Sequence, residues 1–104
     1  MIAVAGGDSI RCAPYATFGT AALSRHALVA LRDRQSCLLA NHGQIALGAD
    51  LPAALAMAQE VEELARQYWL SQQLRRPVLL NAKEMSVIQE KFQHYGRRPF
   101  QKRR

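Results

Sequence analysis

Cys37-Leu38-Leu39-Ala40-Asn41-His42-Gly43-Gln44-Ile45-Ala46-Leu47-Gly48 is the stretch on which the fold turns. Cys37 to Ala40 is a short apolar run that reads as a buried strand. Asn41-His42-Gly43 interrupts it with turn formers, and Gln44 to Gly48 resumes as a second strand. Two strands around a polar turn put His42 at the bend between them. Side chains there converge on a site rather than on a core.

Helices flank this pair on both sides. Gly19-Thr20 opens the first, because a Thr20 side chain can accept from the free N–H groups of a first turn. Leu23, Ala27, Ala30 and Leu31 give it one apolar stripe, and Asp33-Arg34-Gln35-Ser36 ends it. Asp50 caps a second helix over 51–74, with Pro52 in its first turn, where a missing N–H is tolerated. Ala54, Ala58, Val61, Ala65 and Tyr68 follow its period, flanked by Leu51, Leu55 and Leu64. At ~1.5 Å per residue such a helix is about 36 Å long. That length predicts packing across a larger sheet or a neighbouring subunit.

Arg75-Arg76-Pro77 stops the long helix, and Val78-Leu79-Leu80 is an extended link. Asn81 with Glu84 makes a capping-box start for a third helix. Met85, Ile88, Phe92 and Tyr95 share one of its faces, and Gly96 is a natural stop. At the other end, residues 1–5 read as a buried strand cut by Gly6-Gly7. Ser9 to Tyr15 alternates, with Ile10, Cys12 and Pro14 on one side of an edge strand.

Composition narrows the class. Of 104 residues, 49% are hydrophobic, which excludes a disordered chain. No apolar run nears the ~20 residues of a membrane span. The opening MIAVAGG lacks a basic n-region, so a cytoplasmic protein without membrane contact is expected. Cys12 and Cys37 form neither a disulfide framework nor a zinc-thiolate spacing, and both read as buried free thiols in a reducing compartment. The net charge of +6 first suggests nucleic acid. Its location argues otherwise, because Arg97, Arg98, Lys102, Arg103 and Arg104 lie in a terminal segment, 97–104, with no acid. That basic segment reads as a solvated, mobile tail with one aromatic, Phe100, and no nucleic-acid partner is expected.

The catalytic inventory is thin. HExxH, HxH, CxxC, GxSxG, P-loop and GxGxxG patterns are all missing from the 104 residues. Of three histidines, His26 falls on the polar side of a helix and His94 near the chain end, and both read as solvent-facing. His42 stands apart because Gly43 beside it permits close approach.

Three stretches taken together, MIAVAGGDSIRCAPYATFGT (1–20), LLANHGQIALG (38–48) and AMAQEVEELARQYWL (56–70), resemble the class II aldolase family. APYATFGT points to its fuculose-phosphate branch, as does KFQHYG (91–96). The resemblance implies an α/β, three-layer fold around a central, mostly antiparallel sheet. Residues 1–96 would be the C-terminal half of that domain, Met1 aligning with an internal methionine. It further implies a cytoplasmic homotetramer with sites between subunits, and a Zn2+ ion held by three histidines that polarises a carbonyl. The reaction implied is reversible cleavage of L-fuculose 1-phosphate to dihydroxyacetone phosphate and L-lactaldehyde.

The family motif places the third zinc ligand at His42. The other two, an HxH pair, and the catalytic Glu belong to sequence upstream, as do the phosphate-binding loops. Phe18 and Phe92 match the apolar wall that receives the aldehyde's methyl end. Tyr95 matches a tyrosine of a closing C-terminal segment that can donate a proton. Ordinary helix packing is the plain alternative for Phe92 and Tyr95. With one of three histidines, the isolated chain is expected neither to bind zinc nor to turn over. The alternatives are a non-catalytic interaction module, pairing through the long helix and sheet edges, and a fragment of a related sugar-phosphate epimerase or dehydratase, which share the NHG turn.

Overall fold

In the computed structural model, which describes residues 2–94, the chain opens with a 3-10 turn at Ile2–Ala5. β1 (Cys12–Ala13), α1 (Ala21–Leu31), β2 (Ser36–Leu39) and β3 (Gly43–Ala46) follow, then α2 (Leu51–Leu74) and α3 (Ala82–His94). The sheet order is β1-β2-β3. β1 runs parallel to β2, pairing Cys12 with Leu38 and Ala13 with Leu39, so α1 is the crossover of a βαβ unit. β2 and β3 are antiparallel, from Ser36 opposite Ala46 to Leu39 opposite Gly43. The expected hairpin around Asn41-His42 is therefore present.

Strand alternation divides the residues between two helical layers. Ala13 and Cys37 are buried against Ala30 of α1, with Leu31, Leu39 and Ile45 packed around them. The opposite face meets α2, where the Gln44 amide donates to the Ala58 carbonyl and to the Glu62 carboxylate, each at 3.0 Å. α1, sheet and α2 thus form three layers.

Helix starts follow their caps. Thr20 accepts the Leu23 N–H at 3.3 Å and Asp50 accepts the Ala53 N–H at 2.8 Å. Asn81 and Glu84 exchange reciprocal bonds of 2.9 Å in a capping box. Ala27 and Ala30 bury the stripe of α1, and Met85 anchors α3. Gly96 and the 97–104 tail lie outside the described residues. In α2, Val61 is buried while Leu51, Leu55, Tyr68, Trp69 and Leu74 are exposed. The long helix presents more apolar surface than these 93 described residues cover.

Two local expectations are corrected. Residues 2–5 form a 3-10 turn and not a strand. Gly6, at φ 92°, reverses the chain, and its N–H closes on the Ala3 carbonyl at 3.1 Å. A run this short fits either conformation by pattern alone, and the glycine decides it. In β1, Ala13 and not Cys12 faces the core, because the parallel register sets Ala13 beside Leu39 under α1. Cys12 and Pro14 are exposed.

Two arginines tie the loops together. Arg11 donates through Nη1 to the carbonyls of Arg32 (2.6 Å) and Ala30 (3.3 Å), satisfying the C-terminal end of α1. Arg34 pairs with Asp8 at 2.8 Å and donates to the Ser9 and Asp33 carbonyls at 2.8 and 3.0 Å. A Cβ at Gly7 would overlap that guanidinium, so any larger residue there would have to displace the Arg34 side chain. No described helix is long and apolar enough to cross a membrane.

Candidate functional site at the hairpin tip

Leu39 and Gly43 close the β2–β3 ladder, leaving Ala40, Asn41 and His42 as the connection. The His42 N–H bonds to the Leu39 carbonyl at 3.0 Å, and Asn41 takes φ 63°. That is the third position of a type II turn, where asparagine is among the few residues that tolerate a left-handed backbone. The turn lifts His42 beyond the end of the sheet and leaves it exposed.

The imidazole is nevertheless held. Its Nε2 lies 2.8 Å from the Ala16 carbonyl oxygen. A carbonyl has no proton to give, so Nε2–H is the donor, and in the neutral form of the ring the lone pair lies on Nδ1. The Tyr15 ring stacks on it, with centroids 5.5 Å apart and planes 12° from parallel. Both partners come from the loop between β1 and α1. That loop is pinned to its neighbours: the Ala40 N–H donates to the Ala13 carbonyl and His26 Nδ1 holds the Pro14 carbonyl, each at 3.1 Å. His26 is thus half-buried and bonded to the loop, where sequence reasoning left it solvent-facing.

Phe18 lies in the same loop, in the turn before α1, and is 79% exposed. Phe92 is elsewhere. It sits half-buried on α3, beside a cavity of about 450 Å³ lined also by Gln35, Met57 and Gln89. Gln35 precedes β2, whereas His42 follows it, so Phe92 and His42 occupy opposite ends of the strand. The fold brings Tyr15, Phe18 and His42 to one end and keeps Phe92 at the other. Tyr95 lies outside the described residues, and His94 is exposed at the end of α3.

A protein zinc site takes three or four donors. Among the described residues no group of three His, Cys, Asp or Glu side chains is placed to hold a metal. His42 fits as a single donor and the described residues do not complete a site. Sequence reasoning singled out His42 and Phe18 but missed Tyr15 and Ala16. They lie 26 or more positions away and meet His42 only through the sheet. The visible clue was an aromatic after Pro14 in a loop leaving a strand.

Residues 1–69 match the family described as class II aldolase and adducin N-terminal domain. The chain is 57% identical over 96 residues to the 5-methylthioribulose-1-phosphate/5-deoxyribulose-1-phosphate aldolase of Rhodospirillum rubrum, covering 92% of this chain and 43% of that one. It is 50% identical over 99 residues to the L-fuculose phosphate aldolase of Escherichia coli K12, covering 94% and 46%. A solved structure of L-fuculose 1-phosphate aldolase superposes with a TM-score of 0.83 at 42% identity, over 88% of this chain and 43% of the other. The chain therefore spans somewhat less than half the length of these relatives.

Proposed function

The chain belongs to the class II aldolase family, and from that premise we propose that it is the C-terminal half of a zinc-dependent aldolase that cleaves a ketose 1-phosphate. L-Fuculose 1-phosphate, giving dihydroxyacetone phosphate and L-lactaldehyde, is the proposed substrate. The observation that supports this reading is the exposed His42 on a hairpin tip, its ring held by Tyr15 and Ala16 with Phe18 in the same loop. A buried histidine at that position would argue for packing. An exposed, oriented one is suited to a ligand.

In the proposed enzyme, Zn2+ would polarise the substrate carbonyl when bound. His42 would supply one donor, and the rest would come from polypeptide other than these 104 residues. Phe18 would line the wall that excludes water from the apolar end of the aldehyde. Phe92 would complete that wall and Tyr95 would donate a proton. Within one chain Phe92 lies away from His42, so these two roles call for α3 of one copy to approach the hairpin tip of another. A homo-oligomer, a tetramer by family resemblance, follows from that requirement, in the cytoplasm, where free Cys12 and Cys37 stay reduced.

The names of the relatives sharpen the substrate question. One acts on 5-methylthioribulose and 5-deoxyribulose 1-phosphates, others on L-fuculose phosphate. All three sugars end in an apolar methyl or methylthio group, the end that Phe18 would face.

The test is reconstitution. The chain is co-expressed with the N-terminal half of the E. coli relative, and dihydroxyacetone phosphate release is measured from L-fuculose 1-phosphate and from 5-methylthioribulose 1-phosphate. We expect turnover and bound zinc in the reconstituted protein, and neither in the isolated chain nor in the His42→Ala variant. Turnover by the chain alone, or full zinc in His42→Ala, would overturn the proposal.

One observation favours the second reading, an interaction module. Ile10, Leu38, Val61, Leu64, Ala65 and Tyr68 line a groove of about 420 Å³ between the sheet and α2. An apolar groove continuous with the exposed side of α2 suits further polypeptide. A chain that stays monomeric by size-exclusion chromatography at high concentration would count against it.

A further inference from the structure

We infer that Tyr15 is a positioning residue for His42, its ring fixing the plane of the imidazole while the Ala16 carbonyl fixes its tautomer; this rests on the reading of His42 as one donor of the site.

The hairpin tip alone does not orient the ring. Asn41 and Gly43, at φ 63° and 146°, set the backbone, and His42 stands exposed beyond the strands with its side-chain torsions free of core packing. The described contacts that restrain it come from the β1–α1 loop. Stacking at 5.5 Å and 12° lies in the range of favourable offset aromatic pairs. Tyr15 is itself 57% exposed, so its ring is not filling a core. The aromatic contact described for it is the one with His42.

The loop can act as a fixed jaw because it is anchored along its length. Carbonyls of Ala13, Pro14 and Ala16 are bonded to Ala40, His26 and His42 respectively. The Ala40 N–H and the His42 ring both belong to the hairpin tip, so two hydrogen bonds join loop and tip. A backbone carbonyl that accepts one ring N–H is the device by which ligating histidines are oriented and kept in a single tautomer. Here it leaves Nδ1 as the atom with a free lone pair. Holding the ring before a ligand arrives removes its rotational entropy in advance.

The test is carried out on the 104-residue chain labelled with 15N- and 13C-histidine, by NMR at about pH 8. For the wild type we expect the two-bond proton–nitrogen pattern of an Nε2–H tautomer at His42, with through-space contacts between the Tyr15 and His42 rings. Tyr15→Ala frees the ring plane, so the imidazole leaves the Ala16 carbonyl for part of the time. The ratio of Nε2–H to Nδ1–H forms should then fall by roughly two- to tenfold, the range that such an aromatic pair contributes. Tyr15→Phe should retain the wild-type pattern, because the ring and not the hydroxyl does the holding. An unchanged ratio in a natively folded Tyr15→Ala, or a Tyr15→Phe that behaves like Tyr15→Ala, overturns the inference. If Tyr15→Ala does not fold, the wild-type spectrum decides, and an Nδ1–H tautomer or missing Tyr15–His42 contacts overturns it. These readouts involve no metal. Zinc retained by His42→Ala in the reconstituted enzyme would instead sink the ligand reading and leave the tautomer result standing.

Discussion

The Gln44 side-chain amide donates to the Glu62 carboxylate at 3.0 Å, clamping the hairpin to the middle of α2. The same nitrogen reaches the Ala58 carbonyl, so two acceptors share one donor group. Gln44→Glu replaces that donor with a carboxylate facing another carboxylate. At pH 7 it should cost about 1–3 kcal/mol, the penalty of a lost charge-assisted bond together with repulsion. As pH falls through the carboxylate range, the introduced acid takes up a proton and regains a donor. Stability relative to wild type should therefore recover near pH 4, measured by urea unfolding. An equal loss at both pH values would sink this account.

The Arg34–Asp8 pair has unequal partners. Asp8 is largely solvated, whereas Arg34 is nearly covered and also bonds the Ser9 and Asp33 carbonyls. An exposed carboxylate contributes little to such a pair. Asp8→Asn should cost no more than about 0.5 kcal/mol. Arg34→Ala removes the bonds to two carbonyls and should cost about 1–3 kcal/mol. Equilibrium denaturation of the two variants separates these cases, and equal losses would show that the ion pair is the main element.

Cys37 is buried against Ala13 and Ala30, and burial, with the neighbouring Cys12 adding to it, pushes its thiol up from the ordinary 9.0. Native protein should therefore react with iodoacetamide at Cys12 and spare Cys37 until the chain unfolds. The linkage has a definite sign. A thiol whose folded value is raised binds its proton more tightly when folded. Its stabilising contribution is complete below about pH 9 and declines as pH rises from the unfolded value through the folded one. Cys37→Ala should flatten that alkaline decline. Mass spectrometry showing equal labelling of both thiols in native protein would contradict the assignment.

Helix boundaries were legible because each helix begins at a side chain that bonds its own first turn. Thr20, Asp50 and Asn81 with Glu84 all did so. The hairpin was legible because asparagine and glycine tolerate the left-handed backbone at Asn41 and Gly43. What escaped is tertiary. Cys12 and Ala13 are equally apolar, and the β1–β2 register, not their chemistry, decides which is buried. Likewise, the Tyr15–His42 stack joins residues with no shared period, brought together when the β1–α1 loop crosses the hairpin tip. The turn set His42 apart from the other histidines, whereas the Tyr15 ring and the Ala16 carbonyl that meet it left no mark in that stretch of sequence.

Phe18 is 79% exposed, so its ring does little for the stability of the chain. Phe18→Ala should change unfolding free energy by less than about 0.5 kcal/mol. In the reconstituted enzyme the expectation is different, because the same ring would face the apolar end of the aldehyde. Burying one methyl group is worth about 0.8 kcal/mol, close to fourfold in rate. Phe18→Ala should therefore lower the preference in kcat/KM for a methyl-bearing aldehyde over its unmethylated analogue by roughly fourfold. The ratio is read from aldol addition to dihydroxyacetone phosphate with lactaldehyde and glycolaldehyde as competing acceptors. An unchanged ratio would remove Phe18 from the substrate wall, and a large loss of stability in the isolated chain would assign its ring to packing within this fold.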